Sequence, residues 1–363
     1  MISASRSMAV PQLRRPSAGR VRATLSAGSA VVPQRPACTR RDDLRGLRGP
    51  SPCDEEGSVM KLSVEFPSIA FREGPDAVAR MARAIEEIGY DEIAVFDHVV
   101  MGWPTYTREA PRYPTRMPVL EPLVLLGFAA AVTSRIGLST EVLVLPQRQA
   151  VLVAKQVSTI DTLSGGRMRL GVGVGWQACE FDALGLGWSD RGRRMDEAID
   201  VLRACWGDDR IDYVGDHHRL EAIAMDPKPP QVASLPIWVG GDAPVAHRRA
   251  GRLGDGWMGT AGVPDDTIRA GIATIRRTAE EHGRDPDAVG LQLMLALPPT
   301  DEAGKTFYAD TAAVVRRAEA VRSMGFHWAA VNATAIYQAG ARSVDAMIDR
   351  LAALHGPLRE ATS

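Results

Sequence analysis

Cysteine is scarce in this chain of 363 residues: Cys38, Cys53, Cys179 and Cys205 are the four, and no two stand as a Cys-x-x-Cys pair. A disulfide framework and a cysteine-built zinc site are therefore poor fits, and a reducing, cytoplasmic compartment is the default. No His-x-His or His-x-x-x-His spacing occurs, which argues against a metal hydrolase, and no metal ligand set is expected. No apolar run is long enough to span a bilayer. Excess charge is missing too. Lys and Arg number 43 against 44 Asp and Glu, a formal net charge of −1, so nothing pulls the chain towards nucleic acid or an anionic membrane.

What is present is a hydrophobic fraction of 45% and a charged fraction of 24%, enough for a large core in a globular protein. Residues 1–59 differ from the rest. Met1 to Arg41 holds eight Arg, no Lys and no acid among Ser, Pro, Gly and Ala. Without hydrophobic periodicity this stretch is expected to be disordered. Arg-rich, Ser-rich and acid-poor composition also describes an organellar transit peptide. The preferred reading is a translated leader ahead of a true start at Met60, because Asp54–Lys61 runs directly into the first strand.

From Met60 short apolar runs alternate with helical periodicity. Strands are expected at 61–66, 92–96, 136–144, 168–174, 236–239, 256–259, 289–297 and 327–331. Between and after them helices are expected at 76–88, 120–132, 151–163, 193–206, 244–252, 265–282, 311–324 and 343–354. Val78, Met81, Ile85 and Ile88 share one face of the first helix, which Gly89 stops. Residues 213–220 read as a small hairpin. The segments 98–118, 207–234 and 298–310 read as loop insertions. Eight strand–helix alternations in one domain, 60–356, imply a parallel sheet with right-handed crossovers. The predicted fold is α/β, a (β/α)8 TIM-type barrel with insertion loops, and an open doubly wound sheet is the alternative. Residues 357–363 read as a flexible C-terminus.

Chemistry in such a barrel belongs at the C-terminal ends of the strands. Asp97-His98 ends the second strand; it reads as a general acid/base pair, or more plainly as a solvated loop pair or helix cap. Gly171, Gly173 and Gly175 alternate within a strand, unlike a dinucleotide fingerprint, whose glycines lie in the turn into a helix. They imply close approach of either a flat ligand or a neighbouring backbone. Gly240-Gly241-Asp242 leads into a helix N-terminus, a place where backbone N–H groups can hold phosphate.

Longer ordered stretches carry a resemblance: Leu143–Pro146, Ala154–Gln156, Thr159–Asp161, Leu163–Arg167, Gly171–Trp176, Phe181–Gly185, Arg191–Arg194, Pro236–Gly241 and Arg249–Trp257. Together they resemble the luciferase-like monooxygenase superfamily, in particular its branch that uses the deazaflavin coenzyme F420. The resemblance implies a cofactor site at the strand ends. Asp97 and His98 match the family's ring-contacting Asp-His pair. Glu141-Val142 matches a non-proline cis peptide beneath the central ring. Val174 and Gly175 match a cofactor-contacting strand end, and Gly240, Gly241 and Asp242 the phosphate and side-chain loop. The sequence departs from the pattern twice. Glu141 replaces a small residue, and Trp176 stands where some relatives keep an acidic Glu, leaving Glu180 as the nearest acid. Trp176 then packs near the ring or substrate, or simply at the barrel rim.

The activity so implied is hydride transfer between coenzyme F420 and a small organic substrate, with His98 as proton donor or polarising group and the 98–118 loop, carrying Trp103, Tyr106 and Tyr113, as a lid. Alternatives are an FMN-dependent monooxygenase using oxygen and a non-catalytic flavin- or deazaflavin-binding barrel. A homodimer is the family's expectation.

Overall fold

The structure, a computed structural model, describes residues 59–111, 113–297 and 306–363. The leader reading of residues 1–59 falls, apart from Val59, outside the described residues, as does most of the insertion expected over 298–310. Eight parallel strands close on themselves. They are β1 (Lys61–Glu65), β2 (Glu92–Val95), β3 (Gly137–Thr140) with its short continuation β4 (Leu143–Val144), and β5 (Met168–Gly173). A hairpin, β6 (Ile211–Val214) with β7 (Arg219–Ile223), stands apart, and β8 (Ile237–Gly240), β9 (Gly256–Gly259), β10 (Gly290–Met294) and β11 (Trp328–Asn332) complete the ring. Pairing of β1 with β11 and of β3 with β5 closes it. This is the (β/α)8 barrel anticipated from the alternation, and the hairpin lies where the sequence placed it.

The helices are α1 (Pro75–Ile88), α2 (Pro122–Val132), α3 (Ala150–Ser164), α4 (Ala178–Ala183), α5 (Arg191–Gly207), α6 (Pro244–Leu253), α7 (Asp265–Glu281), α8 (Thr311–Ser323), α9 (Ala333–Gln338) and α10 (Val344–Thr362). Their ends follow local chemistry. Proline opens α1, α2 and α6, where a missing N–H costs nothing. Gly89 takes the left-handed conformation (φ 106°) that stops α1. Asp310, Asn332 and Ser343 cap α8, α9 and α10 with their side chains.

Two helices, α4 and α9, are each six residues long, too short to show a period, and were not among those expected. The last helix also corrects an expectation. Residues 357–363 are not a flexible tail, because α10 continues through Pro357 to Thr362. Met347, Leu351, Leu354, Leu358 and Thr362 form one buried stripe at helical spacing. The Thr362 carbonyl accepts the Met60 N–H at 2.9 Å, joining the end of the chain to the first strand.

Strand side chains alternate between two environments. Leu62, Val64, Ile93, Leu138, Leu170, Val172, Val239, Leu291 and Val331 join the apolar layer beneath the helices. The opposite phase fills the barrel, and it carries buried charge. Arg169 of β5 is held by Glu92 of β2 through two hydrogen bonds, the one from Nε being 2.8 Å, and it also donates to Gln292 Oε1 of β10 at 2.5 Å. Its guanidinium lies 4.3 Å from the ring centroids of both Trp238 and Trp328. Gly256 and Gly290 make room for one of those indoles: a Cβ there would stand 2.2 and 2.4 Å from Trp238.

Breaking a buried pair leaves the other charge uncompensated. Arg169→Met is therefore expected to destabilise the protein by about 3–5 kcal/mol, and Glu92→Leu on top of it to restore part of the loss. Chemical denaturation of the two variants checks this; equal stability of parent and single variant would refute the buried-pair account.

Candidate functional site

A cavity opens at the C-terminal ends of the strands, where catalysis belongs in this architecture. Glu65 of β1, Phe96 beyond β2, Glu141 and Val142 beyond β3, and Gly240 and Gly241 of the β8 end line it. Met258, Gly259 and Thr260, then Met294 and Leu297, then Asn332 and Thr334 continue the wall from β9, β10 and β11. Tyr113 and Met117 contribute from the 98–118 segment.

The Glu141–Val142 peptide is cis, as the resemblance implied, and the Val142 side chain sits between two glycines. A Cβ on Gly173 would stand 2.6 Å from Val142 Cγ2, and one on Gly240 would stand 2.7 Å from Val142 Cγ1. Gly171 lies against the Thr140 carbonyl and Met258 in the same way. Gly175 holds φ at 75°, and a side chain there would meet Val144 and Phe181. Of the two readings of the strand glycines, close approach of neighbouring protein atoms accounts for each of them. Gly173 and Gly240 make the room for Val142 in the cavity wall.

Asp97 and His98 do different things. Asp97 accepts the Val144 N–H at 2.9 Å and pairs with Arg148 at 2.8 Å. Both its oxygens are thus engaged in fixing β4, so Asp97 positions the strand end beside the cis peptide. His98 Nδ1 lies 3.1 Å from Glu180 Oε2. Glu180, fully buried on α4, also accepts the Val99 and Val100 N–H groups at 2.9 and 3.2 Å. Burial pushes the Glu180 carboxyl up, but the hydrogen bond and charge of His98 and the Val100 amide outweigh it and hold the carboxyl below its usual range. Glu180 is therefore an ionised acceptor, and the hydrogen on the histidine ring sits at Nδ1. The acid missing after Gly175 is present five residues on, reaching the site through the histidine.

Trp176 packs edge-on to His98 and Tyr113, at centroid separations of 5.3 and 6.1 Å. Phe96 and Tyr113 line the cavity, and both pack against the His98 ring. Of the three aromatic residues expected in the lid, Tyr113 alone reaches the site; Trp103 and Tyr106 are exposed. Val174, Gly175 and Trp176 form the loop behind the wall. Asp242 turns its carboxylate onto Thr260, accepting its N–H at 3.1 Å and its hydroxyl. Trp257 Nε1 donates to the Gly241 carbonyl at 2.9 Å. The β8 loop is thus fixed by β9, and a phosphate beside Asp242 would face an anion.

The sequence reading passed over Glu65. The signal was there: in Leu62-Ser63-Val64-Glu65 the polar residues alternate with apolar ones, so Glu65 shares the inward phase. Glu65 is 2% exposed, and Thr334 contacts its two oxygens only at 3.4 Å. Burial pushes its carboxyl up to about 8, assisted by the nearby charge of Glu141 and opposed by Thr334. Burial likewise pushes Glu141 up to about 7, against a 2.8 Å hydrogen bond from Gln292 and the charge of Arg169. Glu141 Oε2 is buried with no hydrogen-bond partner. These groups fit a flat ring with polar atoms on one edge: apolar Phe96, Val142 and Met258 offer contact, and Glu141 Oε2 is left for a ligand atom to meet.

Both carboxyls bind their protons more tightly folded than unfolded. Stability is unaffected by them below about pH 4.5, their ordinary value, and falls as pH rises through about 7 and about 8. Glu65→Gln is expected to match the parent within about 1 kcal/mol at pH 5 and to exceed it by a few kcal/mol at pH 9. Parallel stability–pH curves from denaturant titration would contradict these environments.

Comparison with known proteins follows the same lines. The model of the luciferase-like monooxygenase family matches residues 58–356. An F420-dependent glucose-6-phosphate dehydrogenase of Nakamurella multipartita is 29% identical over 222 residues, 59% of this chain and 61% of that protein. An FMNH2-dependent dimethylsulfone monooxygenase of Pseudomonas putida is 32% identical over 178 residues, 48% of each chain. The solved coenzyme F420 dependent tetrahydromethanopterin reductase of Methanopyrus kandleri superposes with a TM-score of 0.63 at 16% identity, covering 81% of this chain and 97% of the reductase; that likeness is one of fold.

Proposed function

The chain belongs to the luciferase-like monooxygenase family, and from that premise we propose that it is an oxidoreductase moving a hydride between coenzyme F420 and a small organic substrate. The observation that carries the reading is the Asp97-His98 unit at the β2 end, with His98 tied to a buried carboxylate beside a cavity floored by the cis Glu141–Val142 peptide. The dehydrogenase of Nakamurella multipartita supports the choice of deazaflavin.

Val142, Met258, Gly240 and Gly241 would hold the ring, which when bound supplies two-electron hydride chemistry. The chain's own contribution is position and proton supply. Glu180 fixes the tautomer of His98, leaving Nε2 as the atom that gains or releases a proton. Asp97 and Arg148 hold the strand end on which the cis peptide sits. Tyr113 and Phe96 line the cavity and pack against the His98 ring, so His98 would act on a substrate held beside them. The apolar walls keep water from the reacting face.

The dimethylsulfone monooxygenase of Pseudomonas putida favours a second reading, an FMN-dependent oxygenase. Purification from a host that makes both cofactors separates the two. A deazaflavin band near the violet edge is expected, and tightly bound FMN with its two-band yellow spectrum would overturn the order. His98→Ala is expected to lower turnover by about 100-fold or more while cofactor binding persists. Turnover unchanged on an identified substrate would remove His98 from the mechanism, and cofactor binding without any turnover in the parent would leave a binding protein.

The helix α2 has no charged side chain, yet it leaves Val124 and Phe128 exposed, and Leu152 and Leu163 of α3 are exposed as well. A second copy of the chain is the proposed cover, which light scattering of the purified protein tests by its mass.

A further inference from the structure

The inward phase of the barrel carries polarity from its lower layer to the cavity floor. Glu92 and Gln292 hold Arg169, Gln292 Nε2 donates to Glu141 Oε1, and Glu141 Oε2 is left buried and unpartnered. Glu65, on the next strand but one, reaches the same cavity. Its contacts are the N–H and hydroxyl of Thr334 at the 3.4 Å limit of hydrogen bonding. Two carboxyl groups thus end in one enclosed space with less hydrogen bonding than two carboxylates require.

From this geometry we infer that Glu65 and Glu141 are two acids on the cavity floor, one of which keeps its proton and donates an O–H to the ligand, so the site takes a ring edge or substrate group bearing a carbonyl or other acceptor. The inference rests on the proposed function in one respect, that the cavity is where the ligand binds. It adds a recognition element that a small residue at position 141 cannot supply.

The chemistry is that of two acids lining one cavity. When both are ionised they repel, and neither has enough donors; when one keeps its proton, it can hydrogen-bond a ligand atom. The groups facing the pair are Gln292, Thr334 and Asn332, with Arg169 and Glu92 below and the buried Tyr308 phenol beside them. Arg169 is the cation among them, and it is already paired with Glu92. A neutral carboxyl is therefore the state the surroundings favour, in line with midpoints raised to about 7 and about 8. A ligand acceptor seated on the O–H stabilises the protonated form. Binding then takes up a proton wherever the pair is partly ionised, and the association constant falls about tenfold per pH unit above about 8.

Two measurements on the full chain test the inference. The first is infrared titration of the ligand-free protein, reading the C=O stretch of neutral carboxylic acid. A band persisting at pH 7 and titrating near 8 is expected. The component titrating near 8 should vanish in Glu65→Gln, and its midpoint should fall in Glu141→Gln, because a like charge has been removed. Absence of the band, or an unchanged Glu65 midpoint in Glu141→Gln, would overturn the pairing. The second is calorimetry with coenzyme F420 and, separately, FMN, each in two buffers of different ionisation enthalpy. Proton uptake by the parent at pH 8, lost in both Gln variants, is expected. Binding with no uptake, or with the same pH dependence in the variants, would overturn the donor role. Failure of both probes to bind would instead count against the proposed function, while the infrared result would still decide the pairing. Gln is nearly isosteric with Glu, and thermal melts of the variants confirm that they fold.

Discussion

Arg169 stands where a closed barrel of this kind ordinarily packs branched aliphatic side chains, and a cation there has to be met from inside. The answer is local and complete on most sides: Glu92 takes the charge, Gln292 accepts a further hydrogen bond, and the indoles of Trp238 and Trp328 cover its vicinity. Each of these choices has a cost elsewhere. Trp238 fits because Gly256 and Gly290 have no side chains. Gln292, bonded below to Arg169, presents its amide N–H₂ upward to Glu141. The polarity of the cavity floor is thus continuous with the ion pair at the barrel's lower end.

The closed barrel was legible because its signal is repeated eight times. Apolar strand residues such as Leu62 and Val64 alternate with inward polar ones, and amphipathic helices lie between the strands. Elements without a repeat were not legible. The α4 helix is six residues long and shows less than two turns of pattern. The end of α10 was masked by Gly356-Pro357, which reads locally as a stop, whereas tertiary burial of Leu358 and Thr362 carries the helix through it.

The site divides the same way. His98 and the Glu141–Val142 bond were legible through family pattern, since they occupy fixed places at strand ends. Glu180 was noticed only as the nearest acid, because its contact with His98 spans 82 positions and depends on how α4 folds back. Asp97 could not be told from His98 by sequence; geometry assigns it to Arg148 and the β4 backbone. The strand glycines suited both a ligand and a neighbour. Each proves to face neighbouring protein atoms, and Gly173 together with Gly240 leaves the gap that Val142 fills.

Glu180 and Gln177 also hold the far segment's first turn. Glu180 accepts the amides of Val99 and Val100, and Gln177 binds the Val100 carbonyl and the Gly102 N–H, each at 2.8–3.2 Å. The segment that begins at His98 is therefore shaped by residues roughly eighty positions later. Any attempt to transplant it into another barrel, or to diversify it by recombination, has to carry 177–180 along with 98–102. The two stretches make one inherited module written in two places, and a crossover between them would separate a histidine from the carboxylate that orients it.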